Sequence, residues 1–158
     1  MWTRTDMSIW WTPYFINQAK ELSRLHDRYG VGPKTWEFRW HEFDQRFNAE
    51  LHPNEPNRHG WVVEIDPYDP QSVLVKRTAL GRMAHEGATL SITRDGRVAY
   101  YMGDDDFRSK FEHIYKLVSS KPFVPNGQYS SNRNILDEGT LYAVKFHADG
   151  TGEWLELK

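Results

Sequence analysis

The chain has no cysteine. No disulfide, thiolate metal site or cysteine nucleophile can form within it. The compartment is left open, because exported bacterial proteins also dispense with disulfides. An excess of either charge is lacking too: 20 basic residues face 22 acidic ones, for a net −2. That balance excludes the basic surplus on which non-specific nucleic-acid binding depends. No apolar run approaches the ~20 residues of a membrane span. The opening Met1-Trp2-Thr3-Arg4-Thr5-Asp6 has no basic region followed by an apolar one, so no signal peptide is expected. There is no Gly-x-Ser-x-Gly elbow, no His-Glu-x-x-His pair and no phosphate-binding Gly-x-x-x-x-Gly-Lys-Ser/Thr loop, which disfavours a serine hydrolase, a zinc peptidase and a nucleotide-binding site.

Aromatic residues, by contrast, make up 15% of the chain, and Trp2, Trp10, Trp11, Trp36 and Trp40 crowd the first forty positions. Such density has to be buried against something. Thr12-Pro13 reads as an N-cap with proline in the first turn. Ile16, Ala19, Leu22 and Leu25 follow at helical spacing up to Gly30, which predicts a helix over 13–29. Gly30, Gly32, Pro33, Pro53 and Pro56 then break the chain into loops. A short strand is allowed around Trp36, Phe38, Trp40 and Phe43. Residues 1–60 thus read as a helix plus an aromatic and proline-rich loop region.

From residue 61 the texture is that of short strands. Trp61–Asp66, Val73–Val75, Ala88–Thr93, Arg97–Met102, Tyr115–Val118, Leu141–Phe146 and Glu153–Leu157 are β-rich. Arg94-Asp95-Gly96 and Ala148-Asp149-Gly150-Thr151-Gly152 are hairpin signals. The fold class expected is mainly β and antiparallel: a partial β-propeller of about two blades over 61–158, preceded by the helix and long loop. An open arc of blades cannot close, and its strand edges invite another chain. The whole is therefore expected to be a piece of one larger propeller domain.

Between two of these strands lies Gly81-Arg82-Met83-Ala84-His85-Glu86-Gly87. The glycines allow a sharp turn and close approach to a ligand. A carboxylate suits a hard cation and a guanidinium suits a phosphate oxygen. An ordinary loop with an Arg82–Glu86 salt bridge is the plainer alternative.

Several longer stretches resemble the PhoX-type alkaline phosphatases. They are His52–Arg58 with Gly60–Pro67, Val75–Arg82 running into His85–Ala88, Tyr100–Asp105, Leu136–Tyr142 and Ala148–Leu155, in the family's order over about residues 28–157. The resemblance implies a phosphomonoesterase on a β-propeller that uses calcium and iron. It also implies a periplasmic or extracellular enzyme, exported by the twin-arginine route and several times longer than this chain. The family's Cys-Glu-Glu-Asn motif, whose cysteine binds iron, has no counterpart here, so the chain is expected to be an internal fragment, inactive alone.

Phosphoester hydrolysis uses metal ions and cations to neutralise developing charge. On this reading Glu86 leads the candidate metal ligands, followed by Glu55, then Asp104 and Asp105, then Glu64 and Asp66. Arg82 and after it Arg58 are the candidate phosphate contacts, arginine being suited to bidentate pairing. His85 is a candidate for orienting a ligand. Plainer alternatives stand beside them: Arg82 and Arg58 paired with Glu86 and Glu55, Glu55 in a loop merely stiffened by its prolines, Asp104 and Asp105 as a solvated acidic turn, Asp66 as a turn former before Pro67, and His85 as a packed or solvated side chain. The partners expected are a small phosphoester and the rest of the propeller. A non-catalytic β-propeller-derived binding module is the competing function.

Overall fold

The computed structural model describes the backbone of residues 2–5, and residues 15–18, 24–34, 39–105 and 112–158. It is mainly β. Strands β4 (Thr89–Ile92), β5 (Arg97–Gly103), β6 (Ile114–Pro122), β7 (Gly139–Phe146) and β8 (Gly152–Glu156) form a five-stranded sheet in sequence order. Every neighbouring pair in it is antiparallel. A three-stranded sheet joins β1 (Trp2–Thr5), β2 (Val62–Ile65) and β3 (Val75–Lys76). The strands thus group as five and three. The second sheet crosses residue 60, because Trp2 pairs with Ile65.

The larger sheet follows from alternation and turn chemistry. Val98, Tyr100 and Met102 of β5 point inward with Leu117 of β6, and close a core with Val62, Leu80, Met83, Ile135 and Leu136. At the β4–β5 turn the Thr93 hydroxyl accepts from Arg97 N at 2.9 Å and Arg97 Nε reaches Asp95 at 2.8 Å. At the β7–β8 turn Asp149 accepts from Thr151 N at 2.9 Å. A register shift between Arg97 and Ala99 breaks the β5–β6 ladder, and there Val98 N donates to the buried Ser119 hydroxyl at 2.9 Å. A side chain thus replaces the missing ladder partner.

The sequence-based helix over 13–29 is corrected. Phe15–Gln18 is not helical: Ile16 bridges Gly32 and Asn48 in β fashion. Among the described residues of that stretch α1 (Arg24–Arg28) is helical, while Thr12, Pro13, Tyr14 and residues 19–23 lie outside the described residues. Phe15, which lies outside the predicted helical spacing, fills a second small core with Val31 and Ala49, its ring 4.9 Å from that of Phe47, while Leu25 of that spacing is exposed. Tertiary packing overrides propensity there. Trp40–Glu42 is a 3-10 turn rather than a strand; Trp36 and Phe38 lie outside the described residues. The strand expected at Val73–Val75 is only Val75–Lys76. No helix among the described residues is long and apolar enough to cross a membrane.

Candidate functional site

The 81–87 segment is held against the end of β5. Leu80 closes a 3-10 turn and Gly81 follows with φ 83°, a conformation that favours glycine. Glu86 N donates to Gly103 O at 3.1 Å and Asp105 N to Ala84 O at 2.8 Å, while His85 and Asp104 form an antiparallel bridge. Backbone pairing therefore brings Glu86, Asp104 and Asp105 side by side, although about twenty residues separate them in the chain.

The three carboxylates are used differently. The Asp104 side chain is wholly buried; one oxygen accepts from Ala84 N at 3.1 Å and the other from Arg28 Nη2 at 2.8 Å. It clamps α1 to the loop. Asp105 is half-buried and Glu86 is exposed. The Glu86 carboxylate makes no hydrogen bond or ion pair with any described residue. It borders an open cleft of about 300 Å³ lined also by Gly103, Asp104, Glu112, His113, Ile114, Val144 and Phe146.

Arg82 does not pair with Glu86. Its Nε donates to His59 O and its Nη2 to Pro56 O, both at 2.8 Å, and its guanidinium lies 3.5 Å from the centre of the Tyr29 ring. The Tyr29 hydroxyl donates back to Arg82 O at 2.6 Å. Burial lowers its pKa, yet an arginine stays charged in proteins. This latch joins the 56–60 loop, the end of α1 and the 81–84 turn. Gly60 is part of it: at φ 84°, a Cβ there would stand 3.3 Å from Arg82 Cγ.

His85 is buried at 3% exposure. Its Nε2 carries the proton, since it faces the acceptor-only Gly81 O at 3.1 Å. Nδ1 is buried without a partner. Burial pushes the pKa of this histidine down, so it is a neutral side chain that fixes the loop.

The remaining candidates lie apart from this cleft. Glu55 pairs with Arg58 at 3.1 Å and lies 4.0 Å from Arg46, with Arg58 largely exposed. Glu64 is buried in an ion pair with Arg77 at 2.7 Å, and Tyr129 OH adds a bond at 3.3 Å. Arg77 also holds Asp137 and the Arg133 carbonyl. Asp66 accepts from Tyr68 N at 2.9 Å, the turn that its place before Pro67 suggested. Residue types alone gave no sign of Arg77, Arg28 or Tyr29, whose partners lie tens of residues away.

Comparison with known proteins then gives a family. The model of the alkaline phosphatase PhoX family matches residues 9–158. The chain belongs to the PhoX family. A solved structure, Pseudomonas fluorescens PhoX in complex with vanadate, a transition state analogue, superposes with a TM-score of 0.86 at 48% identity. The match covers 94% of this chain and 27% of that one. No curated protein matches.

PhoX membership carries an expectation of metal, which the donor set here tests. Calcium takes six to eight oxygens, whereas among the described residues no three His, Asp or Glu side chains converge. Glu86 offers a carboxylate without other duties, but its neighbour Asp104 already holds two donors. The described residues do not by themselves make a calcium or iron site.

Proposed function

We propose that this chain forms part of a metal-dependent phosphomonoesterase that releases inorganic phosphate from organic phosphoesters. The observation that supports this most is its 48% identity to the vanadate-bound PhoX over 94% of its length. Vanadate imitates a phosphoryl group in transit, and an enzyme complementary to that state catalyses phosphoryl transfer. On this reading the fold is a portion of a β-propeller, and Glu86 is first among its carboxylates to face a metal ion. Asp105 and Glu55 come after it. Asp104 and Glu64 serve the architecture instead, as does Asp66 at its turn. Arg58, exposed beside Glu55, is better placed than the latched Arg82 to reach a phosphate. Calcium and iron, and a periplasmic or extracellular setting, belong to the same proposal.

The proposal locates the missing donors outside the described residues. The purified 158-residue chain, assayed with a chromogenic phosphomonoester plus calcium and ferric iron, is expected to show no turnover above the metal blank; robust turnover would overturn it. Sequencing the flanking DNA adds an independent check, since an upstream open frame encoding the cysteine motif is expected. The competing reading is a non-catalytic β module. It is favoured by the structural engagement of Arg82, Asp104 and Glu64, and a clean promoter and start codon at Met1 would support it.

A further inference from the structure

Asp95-Gly96, Asn126-Gly127 and Asp149-Gly150 all stand at turns with an exposed first residue. In such a pair the glycine nitrogen can attack the preceding side-chain carbonyl, because glycine has no side chain to block the approach. The three pairs differ in how their side chains are employed. Asp95 accepts from the Thr93 hydroxyl and from Arg97 Nε at 2.8 Å, and Asp149 accepts from Thr151 N at 2.9 Å and Thr151 Oγ1 at 2.7 Å. These bonds hold both carboxyls below their ordinary pKa, and an ionised carboxylate is a poor electrophile. The Asn126 carboxamide is exposed, neutral and bonded to no described residue.

The turn around Asn126 is also the readiest to open. Val124-Pro125-Asn126-Gly127 has proline second and a positive φ of 59° third, the pattern of a type II turn. Among the described residues Asn126 alone takes a positive φ without being glycine, a conformation that an L side chain adopts at some cost. Gly127 N donates to Val124 O at 3.3 Å, whereas Gly96 N and Gly150 N close their turns at 2.9 Å and 3.1 Å. Val124 O also accepts from Asn132 Nδ2 at 3.0 Å, so it keeps a donor when Gly127 N leaves. Freeing that amide strands no buried acceptor.

We propose that Asn126 is a site of spontaneous deamidation, and that the isoaspartate formed there loosens the anchor of the helix that follows. Gly127 N bonds to Asn126 Cγ, the carboxamide nitrogen departs as ammonia with the proton from Gly127 N, and a cyclic succinimide closes. Water then opens the ring. Cleavage at Cγ gives aspartate, and cleavage at the main-chain carbonyl gives isoaspartate, whose backbone runs through Cβ and Cγ. The second product lengthens the chain where there is no slack: a Cβ on Gly127 would stand 3.0 Å from Val124 Cγ1 and 3.1 Å from Ser131 Cβ. Helix α2 (Tyr129–Asn132) starts two residues on. Tyr129 OH reaches Glu64 at 3.3 Å, and the Arg133 carbonyl holds Arg77. A lengthened turn thus acts on the buried Glu64–Arg77 pair.

The test is storage of the purified 158-residue chain at mildly alkaline pH, which promotes loss of the amide proton. Peptide mapping is expected to show a gain of one mass unit at Asn126 ahead of every other asparagine, with isoaspartate identified by isoaspartyl methyltransferase labelling. Asn126→Gly, which tolerates the positive φ, is expected to remove the signal. An intact Asn126 while other asparagines convert would overturn the proposal, as would aspartate as the sole product. Ion exchange then separates the isoaspartate form. Its melting temperature is expected to fall by about 2–4 °C relative to the fresh chain. Asn126→Asp carries the charge without the extra backbone carbon and is expected to melt with the fresh chain. No fall in the isoaspartate form, or an equal fall in Asn126→Asp, would refute the loosening. In the Glu64→Leu/Arg77→Met background the fall is expected to shrink; an undiminished fall would show that the turn does not act through that pair.

Discussion

Arg77 Nε donates to Glu64 at 2.7 Å with both side chains at 3% exposure or less. This pair joins β2 to the segment after β3, and through Asp137 and the Arg133 carbonyl it reaches the chain between β6 and β7. Removing Arg77 leaves the buried Glu64 carboxylate with no charged partner among the described residues, and removing Glu64 leaves the buried Arg77 with only the half-exposed Asp137 as counter-charge. Glu64→Gln or Arg77→Met is expected to cost about 3–5 kcal/mol, and the double replacement Glu64→Leu/Arg77→Met to recover much of it. Urea denaturation of the three variants checks this. Single and double variants of equal stability would refute it.

The Arg82 latch predicts a second loss. Arg82→Ala gives up two hydrogen bonds from a charged donor and a cation–π contact, and is expected to cost about 2–4 kcal/mol. Gly60→Ala is expected to cost more than about 1 kcal/mol, because alanine strains at positive φ. Part of that cost should vanish in the Arg82→Ala background, where the 3.3 Å approach to Arg82 Cγ no longer exists. Thermal denaturation of the four-member cycle measures the coupling.

Glu86 and Asp104 are adjacent in space but should separate in their effects. Glu86→Gln removes an exposed carboxylate without partners among the described residues, and should shift stability by less than about 0.5 kcal/mol. Asp104→Ala removes the 2.8 Å ion pair with Arg28 and leaves the Ala84 amide without its carboxylate acceptor, so about 1–3 kcal/mol is expected. In the complete enzyme that the proposed function describes, Glu86→Gln is expected to lower kcat without lowering the melting temperature.

His85 predicts a pH dependence. Its folded pKa lies below the ordinary value of 6.5 because burial disfavours the charged ring. The unfolded chain therefore binds the proton more readily, and stability rises with pH across the interval between the two values. This contribution is complete above the ordinary histidine value and is lost as pH falls through the lowered one. Denaturation midpoints between pH 5 and pH 7.5 should show the slope, and His85→Gln should flatten it.

The hairpins were legible because Asp-Gly pairs sit between alternating residues, so local chemistry settles both turn and register. Glu86 beside Asp104 was half legible: residue types nominated both, but only the β5 pairing made them neighbours. Phe15–Gln18 misled, since a spacing compatible with a helix also suits side chains packing on a core that distant residues complete. Arg77 was hidden within Val75-Lys76-Arg77-Thr78, a stretch that looks like a solvated basic patch. Its acid partners lie 13 and 60 residues away. The acidic run from Asp104 likewise looks exposed until Arg28 arrives from 76 positions upstream.

The strictly sequential order of β4 to β8 has a consequence for assembly. Each strand needs only its predecessor, so loop-closure entropy stays small and the meander can zip forward as it emerges. The Arg28–Asp104 clamp and the pairing of Trp2 with Ile65 span far more chain and are set to form late. The carboxylates beside β5 would thus take their final places late, once the sheet offers the surface on which Arg28 docks.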